Sequence, residues 1–377
     1  MSIRSEVLDL LNGRPGRRVP WFGDLSYYYY SLHRQDRLEE KHQGPEGEKR
    51  FYTDFGVGIY LYTPDVFRIL YTDRVTYTEI ATPDRIRLRY QTPVGAIESV
   101  QDYVPAQYCF AYAKHFVETI DDLRVMRCVF ENATYHQNYD AYLSRDRLWG
   151  EDGIGFAMGV ASMAPMQKLL SRWAGVETTV ALSQDHPEEF ERTFAAIEES
   201  QEPLVEVLAG SPAAVVILPE NLASQVVGES FFRRFDMPYY RKIVDRLHAA
   251  GKKVAIHIDG GLRPCLGLLS ACGFDIAEAV TPAPFGDLGV EELRQAAGPD
   301  IVIWGGLPGG IFSRNYSDEY FEGYVVNVLR HADHRFVLGV ADQVPPDAVP
   351  ERIGRVRQLV HSNPRKPGKE AASLGKY

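Results

Sequence analysis

From residue 153 onward, short apolar runs alternate with amphipathic stretches. The apolar runs predict strands at 153–160, 213–221, 252–260, 274–280, 301–306 and 335–342. The amphipathic stretches predict helices at 186–210, 230–251, 262–273, 290–298 and 320–332. Strands that are apolar on both faces are typical of a parallel sheet covered by helices. The pattern therefore predicts an α/β fold, either a closed barrel or an open doubly wound sheet. The absence of G-x-G-x-x-G after the early strands argues against the dinucleotide-binding version of the open sheet.

The region before residue 145 has a different pattern of apolar and polar residues. Its segment 74–100 places β-branched and aromatic residues on both sides of the turn signal Thr82-Pro83-Asp84, which predicts a hairpin or a small antiparallel sheet. We expect residues 1–145 to form an N-terminal cap or extension that is integrated with a core at 146–362. A polar tail follows at 363–377, and the whole chain forms one domain.

Composition and charge narrow the function classes. Apolar residues make up 45% of the 377 residues and charged residues 24%, which is typical of a globular protein with a large core. The net charge of −10 is spread without a basic stripe and therefore argues against a nucleic-acid partner. The N-terminus carries no apolar signal-peptide core, and no apolar run is long enough to span a membrane. We expect a cytoplasmic protein without a membrane partner.

The four cysteines form no C-x-x-C pair, and the cytoplasm would keep them reduced. Cys265 and Cys272 lie seven residues apart in a predicted helix, so both can share one face of it. Two small core thiols are the simpler interpretation. A metal-binding pair is the alternative.

Several predicted strands end in a polar side chain, and the carboxyl ends of parallel strands converge on the face where α/β folds build their sites. These residues are Glu220, Asn221, His257, Asp259, Glu278 and Asp342. We expect Glu220, His257 and Glu278 to act in catalysis and Asn221 to contact a substrate. Each residue also has a structural interpretation, as a helix cap or as the partner of a surface lysine.

His257 and Asp259 point to the same side of their strand, because strand side chains alternate. Together with Asp342, they form a possible ligand set for a divalent metal such as zinc, manganese or iron. The same groups also suit an acid–base pair in which a carboxylate fixes the histidine tautomer. The residues alone leave both interpretations open.

The sequence resembles the uroporphyrinogen decarboxylase superfamily, which includes corrinoid-dependent and coenzyme M methyltransferases. The segments that carry the resemblance are 12–21, 91–99, 231–260, 279–298 and 336–353. The resemblance covers nearly the whole chain and implies a (β/α)8 TIM barrel with an N-terminal cap. It also implies a possible homodimer.

The cap is rich in aromatic residues, including a run of four tyrosines at 27–30. We expect it to lie beside the mouth of the barrel, with Trp21, Tyr27 and Tyr28 enclosing the substrate.

Two departures from the superfamily pattern bear on function. The porphyrinogen-decarboxylating branch carries an arginine-bearing M-R-Q-A-G-R segment near its N-terminus, and the comparable segment here, 19–35, lacks that cluster. The methyltransferase branch binds zinc through an H-x-C motif and a later cysteine. Here His257 is kept, whereas Asp259 and Asp342 stand at the two cysteine positions. The resemblance therefore implies a metal site at these three residues, for zinc or for a harder ion.

These observations favour a metal-assisted methyltransferase that acts on a small methylated substrate. Its corrinoid would be carried by a separate protein, because no D-x-H-x-x-G motif is present in this chain. The alternative is a metal-free decarboxylase or other lyase, in which His257 and the carboxylates act as acid–base groups.

Overall fold

The structure, a computed structural model, describes residues 2–365. Most of the predicted polar tail, residues 366–377, lies outside the described residues. No helix among the described residues is long and apolar enough to cross a membrane.

The described residues contain the following strands and helices. The strands are β1 (Trp21–Phe22), β2 (Phe67–Tyr71), β3 (Thr76–Ala81), β4 (Arg85–Thr92), β5 (Gly95–Val104), β6 (Cys109–Lys114), β7 (Ala133–Gln137), β8 (Phe156–Ala157), β9 (Val215–Leu222), β10 (Lys253–Ile258), β11 (Ile276–Val280), β12 (Val302–Pro308) and β13 (Phe336–Ala341). The α-helices are α1 (Ile3–Leu11), α2 (Ser26–Arg34), α3 (Gly44–Phe55), α4 (Ile120–Glu131), α5 (Tyr139–Trp149), α6 (Pro165–Lys168), α7 (Val176–Asp185), α8 (Pro187–Ser200), α9 (Glu202–Ala209), α10 (Ser224–Phe231), α11 (Met237–Ala249), α12 (Cys265–Leu269), α13 (Leu293–Ala297), α14 (Asp318–His331) and α15 (Pro350–Ser362). Two π-helical turns occupy Leu169–Trp173 and Phe232–Asp236.

The main sheet has seven parallel strands in the order β1-β13-β12-β11-β10-β9-β8. Strands that follow each other in sequence also pair in space, without the reversal of strand order that marks a doubly wound sheet. Residues 58–60 lie between the two edge strands, because Gly58 bridges Phe22 and Ile59 bridges Gly153. The sheet is therefore strongly curled, and the predicted α/β fold with parallel strands is confirmed.

An inner core fills the space within the curled sheet. Trp304 of β12 lies at its centre, and the centroid of its ring is 4.7 Å from that of Tyr60, 5.0 Å from Phe22 and 5.2 Å from Phe156. Helix α1 adds buried apolar side chains to the same cluster. Along β9, Val215 and Ile217 face this core, whereas Val216 and Leu218 face the surrounding helices. This alternation is the expected two-sided burial of a parallel strand.

The N-terminal region contributes to both the main sheet and the smaller sheets. Strand β1 pairs with β13 in the main sheet. Strands β3 to β6 form a four-stranded antiparallel sheet, which confirms the prediction made for residues 74–100. Strands β2 and β7 form a separate antiparallel pair. The division of the chain at residue 145 stays a prediction.

Two predicted helices are interrupted in the structure. The helix predicted at 186–210 is divided into α8 and α9 at Gln201, because Pro203 lacks the N–H group that a continuous helix requires. The helix predicted at 230–251 contains the π-helical turn 232–236 just before Pro238. Cys265 and Cys272 are buried free thiols, as the simpler interpretation predicts. They lie in the outer core, which is the apolar cluster between the main sheet and the helices around it.

We predict that Trp304→Ala lowers the free energy of unfolding by about 3–5 kcal/mol, since a fully buried aromatic side chain is replaced by a cavity. Tyr320→Ala serves as the control, because that side chain is 42% exposed. Urea denaturation followed by far-UV circular dichroism measures both changes. Equal stability of the two variants would contradict the role given to the inner core.

Candidate active site at the carboxyl ends of the parallel strands

The site is built on a buried histidine that is held by a buried glutamate. His257 of β10 and Glu278 of β11 are direct partners in the register of their strands. His257 Nδ1 hydrogen-bonds to Glu278 Oε2 at 2.5 Å, and the Tyr60 hydroxyl donates to Glu278 Oε1 at 2.7 Å. Because Glu278 is fully buried, these two bonds fix the orientation of its carboxylate. The carboxylate in turn places the proton on Nδ1 and directs Nε2 away from the core.

The second imidazole nitrogen faces Asp342, the residue that follows β13. The distance from His257 Nε2 to Asp342 Oδ1 is 3.6 Å, which is too long for a hydrogen bond. The Asp342 side chain is about half exposed, whereas His257 is only 9% exposed. The Nε2 atom is therefore held near a carboxylate but is not bonded to it, and a bound molecule can use it as a hydrogen-bond partner.

Electrostatics favour the protonated form of His257. Burial by itself lowers the pKa of His257, but the charge and the hydrogen bond of Glu278 outweigh it. Asp342 and Asp259 add to the effect, and the pKa of His257 is raised to about 9. Burial raises the pKa of Asp342, against the lowering effect of His257. The imidazole is therefore an imidazolium at neutral pH, with Nδ1 bonded to Glu278 and Nε2 directed toward Asp342.

A second polar cluster at the same end of the sheet was not predicted from the sequence. Buried Asp24, two residues after β1, accepts from Gln343 Nε2 at 3.0 Å and from the Ser26 backbone N–H at 2.8 Å. Gln343 also lies 2.7 Å from the Tyr62 hydroxyl. Burial raises the pKa of Asp24. The signal for Asp24 was present, since it follows a short apolar run at Trp21–Phe22 in the same way as the predicted strand-end residues.

Three residues at the strand ends adopt left-handed backbone conformations. Tyr62, Asn221 and Ala279 have φ angles of 61°, 49° and 62°. Near Asn221 and Ala279, the register of β9 and β11 shifts as in a β-bulge. Such conformations cost about 1–3 kcal/mol for a non-glycine residue and cluster at functional sites. The strain supports the assignment of this end of the sheet as the site.

Glu220 belongs to a different group of buried side chains. It is fully buried and accepts from the Ala164 backbone N–H at 2.9 Å. Burial raises the pKa of Glu220 and lowers the pKa of nearby Lys168. Asp236 completes this group and accepts from Gln167 at 3.0 Å. The structure thus brings His257, Glu278 and Asp342 together but directs Glu220 elsewhere.

The predicted metal ligands are only partly gathered. Asp259 Oδ1 accepts from the Gly260 N–H at 2.6 Å and so is used by its own loop. No group of three His, Cys, Asp or Glu side chains within residues 2–365 is close enough to hold a metal ion. The side chains as placed do not form the ligand set of His257, Asp259 and Asp342, and we derive no catalytic step through a metal.

The four predicted substrate contacts lie in different places. Asn221 is exposed at the end of β9. Trp21 is buried in the outer core, away from His257, and buried Tyr28 packs against Phe51 with ring centroids 6.1 Å apart. Tyr27 donates its hydroxyl to the carbonyl of Gln107, in the loop between β5 and β6. Substrate roles for these side chains stay predictions.

A parallel, curled sheet with ionisable groups at its carboxyl ends defines the class of α/β barrel-like proteins that build sites at that end. The family model for uroporphyrinogen decarboxylase (URO-D) matches residues 153–363. The chain belongs to this family. A comparison with curated proteins found no match.

Solved structures also resemble the chain. A methyltransferase from Methanosarcina mazei is 12% identical, with a TM-score of 0.60 over 96% of this chain and 99% of that one. A candidate vitamin B12-independent methionine synthase from Listeria monocytogenes is 10% identical, with a TM-score of 0.43 over 92% of this chain and 97% of that one. At these identities, the likeness to the Methanosarcina protein shows the fold alone.

We predict that Glu278→Gln lowers the pKa of His257 by at least about one unit, because the carboxylate that outweighs burial is removed. Chemical shifts of labelled histidine, followed by NMR as a function of pH, measure the change. Glu229→Gln is the control, since that glutamate is paired with Arg233. An unchanged titration of His257 in Glu278→Gln would refute the role of Glu278.

Proposed function

We propose that this protein is an enzyme that removes a methyl group from a small methylated substrate, with His257 as the proton donor. The observation that carries the proposal is the placement of His257, which is held at Nδ1 by Glu278 and leaves Nε2 beside the half-exposed Asp342. Demethylation of an amine or an ether produces a basic leaving group. A fixed imidazolium is suited to protonate that group.

In the proposed step, the methyl carbon forms a bond to the nucleophile of the methyl acceptor while its bond to the substrate heteroatom breaks. The electron pair of the broken bond stays on the heteroatom. His257 Nε2 delivers the proton that this electron pair takes up. Asp342, which is open to solvent, returns a proton to the imidazole from water. Glu278 and Tyr60 keep the ring in place throughout.

The methyl acceptor in this proposal is a corrinoid on a separate protein. Bound there, the corrinoid supplies the nucleophile for the methyl group.

The proposal also includes closure of the main sheet as an eight-stranded barrel, with residues 58–60 as the eighth strand. Support for closure comes from the hydrogen bonds of Gly58 to Trp21 O at 3.0 Å and of Phe156 to Tyr60 O at 3.1 Å. A docked partner protein would then face the open end that holds His257.

A carboxy-lyase is the second candidate, and the description of the family favours it. The same imidazolium would then protonate the carbon that loses CO₂. The two candidates differ in the atom that receives the proton, a heteroatom in one case and carbon in the other. Their products therefore distinguish them, since only the lyase releases CO₂.

We predict that His257→Asn lowers kcat/KM by about 10²- to 10⁴-fold, as expected for loss of a general acid. The assay incubates the protein with cob(I)alamin and a panel of methylated amines and methyl ethers, and records the spectrum of methylcobalamin. His248→Asn is the matched control, because His248 pairs with Asp275 on the surface. Release of CO₂ from a carboxylic acid, with no methyl transfer across the panel, would favour the lyase.

The pH profile gives a separate prediction. Since the acid form of His257 is required and its pKa is raised to about 9, the rate should stay high through neutral pH and fall as pH rises through about 9. In Glu278→Gln, the fall should begin at lower pH. Rates measured from pH 6 to 10 in both proteins test this. A wild-type rate that increases above pH 9 would contradict the acid role.

Metal assistance through His257, Asp259 and Asp342 requires a separate test. This version predicts about one metal ion per chain in protein purified without chelators, and loss of that ion in both His257→Ala and Asp342→Ala. Elemental analysis by mass spectrometry measures the metal content. Metal-free protein with full activity would contradict this version and leave the acid role of His257 intact.

A further inference from the structure

A large cavity lies beside Tyr62. Its volume is about 860 Å³, within the range of small-molecule sites. Part of its wall comes from Tyr62 and Thr63, which follow residues 58–60, and from Met158 and Gly159, which follow β8. The cavity therefore opens at the same end of the main sheet as His257. The opposite wall comes from the small antiparallel sheets.

Aromatic rings dominate one wall of this cavity. Trp173 is at the centre of the wall, with Tyr90 stacked at 5.5 Å and an interplanar angle of 19°. The ring centroids of Phe116 and Phe130 are 4.8 Å and 5.0 Å from that of Trp173. A wall of this kind favours a flat apolar molecule, which gains both burial and ring stacking.

Three cations line the cavity, and they differ in their partners. Arg68 Nε donates to Asn138 Oδ1 at 3.2 Å, and Lys168 Nζ donates to the Met163 carbonyl at 2.7 Å. Arg172, by contrast, has no side-chain hydrogen bond or ion pair among residues 2–365, and its Nε is shielded from solvent. Because Arg172 lines the cavity, an anionic ligand there can give the guanidinium a charge-assisted partner through its terminal nitrogens. Asp65 is the carboxyl group in the wall, and its partial burial raises its pKa.

Arg172 and Trp173 lie in the π-helical turn Leu169–Trp173. An extra residue in a helical turn changes the direction of the side chains that follow, and such turns occur frequently at functional sites. Here the turn brings a guanidinium and an indole to the same cavity. The two side chains supply the two kinds of contact that an aromatic acid requires.

We propose that this cavity binds an aromatic carboxylate, with its ring against Trp173 and Tyr90 and its carboxylate on Arg172. Tyr62 connects the cavity to the polar cluster around Asp24, because it lines the cavity and its hydroxyl lies 2.7 Å from Gln343 Nε2. Gln343 is next to Asp342 in the sequence. The bound acid is the body of the methylated substrate. That last assignment rests on the proposed function, whereas the binding of the acid does not.

The experiment compares naphthoate with naphthamide, which has the same ring without the charge, by isothermal titration calorimetry on the full chain. We expect one naphthoate per chain and at least about tenfold weaker binding of naphthamide, since a charge-assisted hydrogen bond is lost. Arg172→Gln should reduce the affinity for naphthoate to that for naphthamide and leave the amide unaffected. Arg234→Gln is the control outside the cavity and should change the affinity for naphthoate less than about twofold, because that guanidinium pairs with Glu191 on the surface.

Equal affinity of the wild-type protein for acid and amide would overturn the proposal, whether or not the variant folds. Competitive inhibition of His257-dependent methyl transfer by naphthoate would support the substrate assignment. Tight binding of naphthoate without inhibition would overturn that assignment and leave the proposed function standing. Tight, Arg172-dependent binding in a protein without methyl transfer to cob(I)alamin would reject the proposed function and leave the aromatic-acid site standing.

Discussion

The ion pair between Glu278 and His257 is the interaction on which the candidate site depends. Its two members lie side by side on neighbouring parallel strands and are shielded from water. A charge buried without its partner costs several kcal/mol. Each residue of the pair therefore offsets the desolvation cost of burying the other. Tyr60 donates a hydrogen bond to the other carboxylate oxygen of Glu278, which fixes the carboxylate and the imidazole bonded to it. Nε2 of His257 then has one fixed direction in which to bind another molecule. The curl of the sheet determines where that nitrogen points.

The two ends of the curled sheet contribute differently to the free energy of folding. At one end, helix α1 and the rings around Trp304 form an apolar core, whose contribution is stability. The carboxyl end carries buried charges, exposed Tyr62 and buried Ala279, and the left-handed backbone of both residues costs free energy. The apolar end offsets that cost. This separation allows a strained, charged site to persist in a folded chain.

The N-terminal region links the two parts of the proposed chemistry. It supplies Asp24 to the second polar cluster and Tyr60 to the pair of His257 and Glu278. It also supplies Tyr90 and Phe116 to the wall of the cavity. Tyr62 borders both the second polar cluster and the cavity. The side chains proposed for binding the substrate ring and those proposed for proton transfer are therefore separate sets that meet at Tyr62.

The sequence by itself determined the parallel strands and the positions of His257, Glu278 and Asp342 at their ends, because apolar runs and the residues that follow them are local features. It did not reveal Tyr60 or Arg172, and it grouped Glu220 with His257. The helical turn at Ala164 offers Glu220 an unpaired backbone N–H, and the sequence carries no sign of that approach. Such partners come from segments far apart in the sequence, as with Tyr60 and Glu278, which are 218 residues apart. Only the curl of the sheet brings them within hydrogen-bond distance, so only the tertiary structure decides which polar groups meet.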